Sequence, residues 1–162
     1  MRLLASTDFA LRILMLLAEE PGGGRLSVET LARRLGGLSR NHLHKIVQDL
    51  SALGITRTTR GTGGGVTLAV PPEQVRLGTL VRRLEADQPM VDCFRQDEGT
   101  CTLMPACRLR NMLREAQERF YTSLEDHTLA ALTRNKPSAV PEKEIVPVPR
   151  SGKDGQLRGR AC

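Results

Sequence analysis

No tryptophan occurs among the 162 residues, and the aromatic side chains stop at Phe9, Phe94, Phe120 and Tyr121. Single-stranded nucleic-acid modules stack bases on aromatic faces, so this scarcity argues against them. No apolar run is long enough to span a bilayer. The start, MRLLASTDFALRILMLLAEE, is interrupted by Asp8, Arg12 and Glu19. It reads as an amphipathic helix, not as the apolar region of a signal peptide. The expectation is a cytoplasmic protein with no membrane partner. Thiols stay reduced there, and cysteines serve as ligands or redox centres more than as staples. The four cysteines include no C-x-x-C pair, and no thioredoxin-like βαβ pattern surrounds them, which disfavours a thiol–disulfide exchange enzyme. The chain is not expected to be an enzyme.

What is present fits one domain with an appendage. The core must come from Leu, Val, Ala, Ile and Met. The net charge of +6 is unevenly spread. Residues 25–83 carry ten Arg and Lys against three Asp and Glu, whereas residues 84–135 carry six against nine. A basic block ahead of an acidic one points to a polyanion partner for the first, against the plainer reading of scattered solubilising charge.

The periodicity predicts a largely buried helix over 7–20, capped by Thr7 and stopped by Pro21 and Gly22 to Gly24. Ser27 opens a second helix through Leu35, with Val28, Leu31, Ala32 and Leu35 on one stripe. Ser39 caps a third, SRNHLHKIVQDLSALG, whose Leu43, Ile46, Val47, Leu50 and Leu53 face inward and which Gly54 closes. Its other face shows Arg40, Asn41, His44, Lys45 and Gln48. Two helices joined by a short glycine turn form a helix-turn-helix pattern. Arg and Lys suit guanine and phosphate, and Asn and Gln suit adenine. The alternative is an ordinary solvated polar face.

The next stretch favours the DNA-reading alternative. ITRTTR and VTLAV alternate as strands around GTGGG, and Pro71 and Pro72 end the second. The result is a basic-tipped wing. Arg57 and Arg60 would reach phosphate or the minor groove, and Gly61, Gly63, Gly64 and Gly65 permit close backbone approach. The Gly-rich stretch lacks the G-x-x-x-x-G-K pattern of a nucleotide-binding loop. A fourth helix, 77–86, follows, with Leu77, Leu80, Val81 and Leu84 inward and Arg76, Arg82 and Arg83 extending the basic surface.

Cys93, Cys101 and Cys107 then share one short loop, with seven and five residues between them. Structural zinc usually takes four ligands with a tight knuckle, and neither is found locally. Cys162 lies in a tail suited to disorder. Iron–sulfur clusters accept thiolates on irregular loops. Zinc, and three idle or redox-active thiols, stay open as alternatives. From Pro105 a long helix carries Leu109, Met112, Leu113, Ala116, Phe120 and Leu124 as one stripe. Arg114–Glu118 and Glu115–Arg119 are spaced as opposite-charge pairs. Such a stripe needs a partner surface, and a two-fold homodimer supplies one, against packing on its own domain. Thr128 is positioned to cap a last turn, LAAL. The tail, KPSAVPEKEIVPVPRSGKDGQLRGRAC, has four prolines and no periodicity, so disorder is expected. The segments expected are therefore 1–87, a winged helix-turn-helix DNA-binding unit; 88–107, a cysteine loop; 108–135, a dimerisation helix with a short terminal helix; and 136–162, the tail. The fold class is mainly α with a small β-hairpin wing.

TDFALR, SRNHLHKIVQDLSALGI, RGTGGGVTLA and the Cys93–Cys101–Cys107 loop running into CRLRNMLREA occur in this order. Together they resemble the winged-helix iron–sulfur transcription regulators, over residues 1 to about 135. Within that family the likeness is greatest to the nitric-oxide-sensitive repressors. The resemblance implies a homodimer on an inverted repeat of double-stranded operator DNA and a [4Fe-4S] cluster, with [2Fe-2S] as the alternative. It also implies Cys93, Cys101 and Cys107 as ligands, with a fourth from Asp8 of the partner subunit. Read without the resemblance, Asp8 is a first-turn helix charge. Some members place a His soon after the third cysteine. Here Arg108, Leu109, Arg110 and Asn111 stand there, a departure from that ligand set. Nitric oxide would then release the operator and derepress detoxification genes. The alternatives are a regulator of iron–sulfur assembly or general redox state, and a metal-free thiol switch.

Overall fold

A computed structural model describes residues 3–36, 38–61, 63–95 and 106–133. Five helices and one hairpin follow in chain order: α1 (Ala5–Glu19), α2 (Val28–Arg34), α3 (Arg40–Ala52), β1 (Thr56–Thr59), β2 (Gly65–Leu68), α4 (Leu77–Leu84) and α5 (Arg108–Glu125). Short 3-10 turns at Pro21–Gly23, Pro72–Gln74, Asp92–Phe94 and Leu129–Leu132 join or follow them. The mainly helical fold with a two-stranded wing is the class the sequence predicts. No helix among the described residues is long and apolar enough to cross a membrane. The tail, with Cys162, lies outside the described residues.

α1 is the central element. Ala10, Ile13, Leu14 and Leu17 are buried on it, against α3, β2 and the 129–132 turn. Its start differs from expectation. Thr7 lies inside the helix, only 1 % exposed, and its Oγ1 finds no hydrogen-bond partner among the described residues. The N-terminus is instead served from far away, where Glu85 Oε1 accepts from the Leu4 amide at 3.0 Å. A carboxylate suits the positive end of a helix, whichever part of the chain supplies it.

α2 and α3 behave as their caps dictate. Ser27 Oγ accepts from the Thr30 amide at 3.0 Å and Ser39 Oγ from the His42 amide at 3.3 Å. Leu31 from α2 and Leu43, Ile46, Val47 and Leu50 from α3 are buried. Gly54, at φ 74°, ends α3, and the Ile55 amide returns to the Leu50 carbonyl. β1 and β2 pair antiparallel from Thr56–Leu68 to Thr59–Gly65. Leu26 adds an isolated bridge to Val66, so the hairpin is pinned to the segment before α2.

α5 packs on α4 through a mixed seam. Tyr121 is its one buried side chain among the described residues, while Leu109 and Met112 are 61 % and 64 % exposed. Gly78 brings the α4 backbone against α5 at Tyr121 and Glu125. The Glu125 carboxylate then accepts from the Thr79 amide at 2.6 Å, capping α4 from another helix. Arg82 clamps the middle. Two of its guanidinium nitrogens donate to Glu118 at 2.7 Å each, and it stacks 4.4 Å from the Tyr121 ring centre. Two expectations are corrected here. Arg82 does not extend the basic surface, and Glu118 pairs with Arg82 where Arg114 was expected. A bidentate fork lying on an aromatic face outcompetes a single-turn pairing. The Glu115–Arg119 pair forms as spaced. α5 starts at Arg108, and Thr128 precedes the last turn without a side-chain cap.

The hydrogen bond from Arg82 holds the Glu118 carboxyl below the usual carboxylate range. A depressed folded value stabilises the fold above the ordinary carboxylate range, and that contribution is lost as pH falls through the depressed value. In wild type, thermal stability should therefore fall on acidification below about pH 5. Glu118→Gln should show a shallower fall. Superimposable pH profiles in a melting experiment would remove the pair from the account. The effect is small, because both side chains are about half exposed.

Candidate nucleic-acid interface and cysteine turn

The face of α3 turned away from the core carries Arg40, Asn41, His44, Lys45 and Gln48, all exposed. Ser39 sits at its head as the cap. Arg40 donates to Glu29 of α2 at 3.0 Å, a solvent-exposed pair that is readily given up. Between α3 and the wing runs a groove of about 380 Å³, lined in part by His44, Gln48, Thr58, Thr59, Arg60 and Gly64. Arg57 and Arg60 are exposed on the hairpin. That groove brings His44 and Gln48 of α3 together with Arg60 of the wing.

The glycines at the wing tip have structural duties as well. Gly63 has φ 79°, and its carbonyl accepts from Arg25 at 2.7 Å. A Cβ at Gly64 would stand 2.5 Å from the Thr59 carbonyl oxygen. Arg25, which props the tip, is a functional candidate that sequence reading missed. It precedes Ser27 with no motif around it, and only the Leu26–Val66 bridge brings it to the wing.

Cys93 lies in the Asp92–Phe94 turn, and Cys107 is the residue that precedes α5. Both are half-buried free thiols. Arg110, in the first turn of α5, donates its Nε to the Cys93 carbonyl at 3.1 Å. Arg114 lies 5.6 Å from the Phe94 ring centre. The Cys93 turn and Cys107 therefore both adjoin the first turn of α5. Cys101 lies outside the described residues. No three His, Cys, Asp or Glu side chains form a metal-ligating group among the described residues of one chain.

Asp8 is partly exposed on α1 and bound to Arg12 one turn on, at 3.0 Å to Nε and 2.8 Å to Nη2. Arg12 lies 5.9 Å from the Phe9 ring centre, and Phe9 meets the His42 ring edge-on at 6.2 Å. A line of contacts thus runs from Asp8 to the first turn of α3. His42 was not among the expected site residues. Its ring turns toward α1 while Asn41 and His44 are exposed, a detail that the α3 pattern does not show.

A family model described as Rrf2, iron-dependent transcriptional regulator, matches residues 3–135. The HTH-type transcriptional regulator NsrR of Bacillus subtilis is 37 % identical over 136 residues, spanning 84 % of this chain and 92 % of the relative. The protein of that name from Halalkalibacterium halodurans is 38 % identical over the same shares. The crystal structure of oxidised Staphylococcus aureus CymR superposes with a TM-score of 0.64, covering 85 % of this chain and 99 % of that one at 23 % identity. The IscR structure from T. potens gives 0.61, over 80 % and 84 %, at 22 %. Those two establish the fold alone, and the sequence relatives establish the kinship: this chain belongs to the Rrf2 family and is a transcriptional regulator, not an enzyme.

Proposed function

We propose that the protein is a homodimeric, cluster-containing repressor that grips an inverted-repeat operator and lets go when nitric oxide reaches it. One observation carries this reading: the Cys93 turn is tied through its backbone to Arg110 in the first turn of α5, which Cys107 immediately precedes, within a chain whose relatives at 37–38 % identity bear the name NsrR. The donor set fits an iron–sulfur group. Both described thiols are free and half-exposed, and cysteine sulfur is the usual ligand of such clusters. Cys93, Cys101 and Cys107 would hold a [4Fe-4S] cluster, with Asp8 of the partner subunit at the fourth position. When bound, such a cluster supplies iron that a diatomic gas can reach, most readily at the corner with a carboxylate ligand.

The chain's own residues would transmit the change. Arg110 and Arg114 hold the Cys93–Phe94 turn to α5, so any shift of that turn acts on α5 first. α5 holds α4 through Arg82 and Glu125. The exposed Leu109 and Met112 side of α5 would meet its counterpart in the second subunit. A carboxylate of Asp8 given to a partner leaves Arg12 free, and Arg12 leads through Phe9 to His42. Each route ends on the relative placement of two α3 helices, whose half-sites must lie about 34 Å or a multiple apart.

On the DNA side, Ser39, Arg40, Asn41, His44, Lys45 and Gln48 would face the major groove, and Arg57, Arg60, Gly63 and Gly64 the backbone or minor groove. Arg40→Ala or Gln48→Ala is expected to weaken operator binding by about 1–3 kcal/mol and relax discrimination at one base pair. Arg57→Ala or Arg60→Ala should weaken all sequences alike and lower the salt slope by about one. Fluorescence anisotropy across salt concentrations separates the two behaviours. The reading as a whole is tested by stepwise nitric oxide addition to anaerobic protein, with visible absorption and operator binding followed together. Release should track bleaching of the cluster band. Bleaching with unaltered binding would overturn the sensing role.

A further inference from the structure

At the C-terminal end of α3 lies a second cleft of about 220 Å³. Its apolar side is formed by Leu53 and Ile55, which flank the α3–β1 turn, and by the buried Val75 and Leu80. Arg76, the N-cap of α4, and Arg83, in its last turn two helical turns further on, stand at its rim with Thr79 between them. No acidic side chain lines it. The cleft lies past the last of the base-facing α3 residues: Leu53 is five positions, about 8 Å along the axis, beyond Gln48.

Both guanidiniums are largely uncommitted. Arg76 Nη1 reaches the Glu125 carbonyl at 3.4 Å, and Arg83 Nη1 the Leu53 carbonyl at 3.5 Å. Those lengths are at the outer limit of a hydrogen bond. Neither arginine is in an ion pair among the described residues. Each guanidinium has five donors to offer. The Glu125 carboxylate, held on Thr79, offsets one of the two positive charges. What remains suits a single negative charge on a small aliphatic body. The volume is below the range of about 300–1,000 Å³ usual for drug-sized ligands, so the fitting molecule is short.

We propose that this cleft binds a small organic monoanion, a carboxylic acid with a short branched aliphatic chain. Its carboxylate would lie between Arg76 and Arg83, and its chain would lie against Leu53, Ile55, Val75 and Leu80. An occupant would bridge the α3–β1 turn to α4, two parts of the DNA-reading unit. The proposal stands independently of any cluster.

Methyl-resolved NMR titration of the full-length protein with isovalerate tests it. Saturable shifts should appear at the methyl groups of Leu53, Ile55, Val75 and Leu80. Isoamyl alcohol and isoamylamine, with the same body and no negative charge, should produce none. Arg83→Gln and Arg76→Gln should each weaken binding at least about ten-fold, since each removes charge-assisted hydrogen bonds, while distant methyl signals stay in place. If a variant fails to fold, the comparison of acid, alcohol and amine on wild type decides alone. Absence of saturation, or equal binding of the amine, would overturn the site. A peptide ending in a free leucine carboxylate that displaces isovalerate would assign the cleft to a protein partner and overturn the small-molecule reading.

Discussion

Gly78→Ala is expected to destabilise the fold by about 3 kcal/mol, the upper end of the usual overpacking cost. Helix propensity predicts the opposite, because alanine in a helix interior is better than glycine by about 1 kcal/mol. Geometry decides between them. A Cβ at position 78 would stand 2.3 Å from the Tyr121 carbonyl oxygen and 2.7 Å from the Glu125 amide nitrogen. Both are backbone atoms of α5, which cannot step aside as a side-chain tip can. α4 and α5 must part, and parting them also strains the Glu125 cap on Thr79 and the Arg82 fork on Glu118. Urea denaturation checks the prediction. A neutral or stabilising result would mean that the two helices do not meet as closely as described.

Cys93→Ser and Cys107→Ser form the second prediction. Each should lower iron retention at least about a hundred-fold, exceeding the loss seen when mere supporting residues of a metal site are changed. Operator affinity of the anaerobically prepared protein should fall with it. The fold should survive in both variants. Neither thiol is in a disulfide, and both are only half-buried. Circular dichroism and iron analysis on the same samples separate the two effects. Full iron content in either variant would remove that cysteine from the ligand set. Loss of helical signal would mean that the thiol serves the apo fold.

Local rules carried much of this fold. The Ser27 and Ser39 caps, the α3 stripe and the wing were legible because each depends on neighbours within a few residues. What escaped were contacts between distant parts. Leu4 and Glu85 are 81 positions apart, so nothing near α1 announces that a remote carboxylate serves its start and leaves Thr7 within the helix. Gly78 reads as a mildly poor helix residue until α5 lies on it. Arg82 reads as one more surface cation until Glu118 and Tyr121 are seen beside it. The candidate site divides similarly. The outward α3 side chains follow from helical period, but His42 on Phe9 and Arg25 on the wing tip depend on packing between elements. Cysteine spacing pointed to shared chemistry; it could not reveal that Arg110 holds the Cys93 carbonyl at the head of α5.

The central claim is that an iron-containing group held by the cysteine loop sets the grip on DNA. It is tested most directly by measuring operator affinity of one anaerobic preparation before and after its iron is withdrawn with a chelator, at fixed salt. The account predicts measurable iron and sulfide at the start and a fall in affinity of at least about ten-fold, or 1.4 kcal/mol, after removal. A preparation that never held iron or sulfide, or one whose affinity is the same without them, would contradict it.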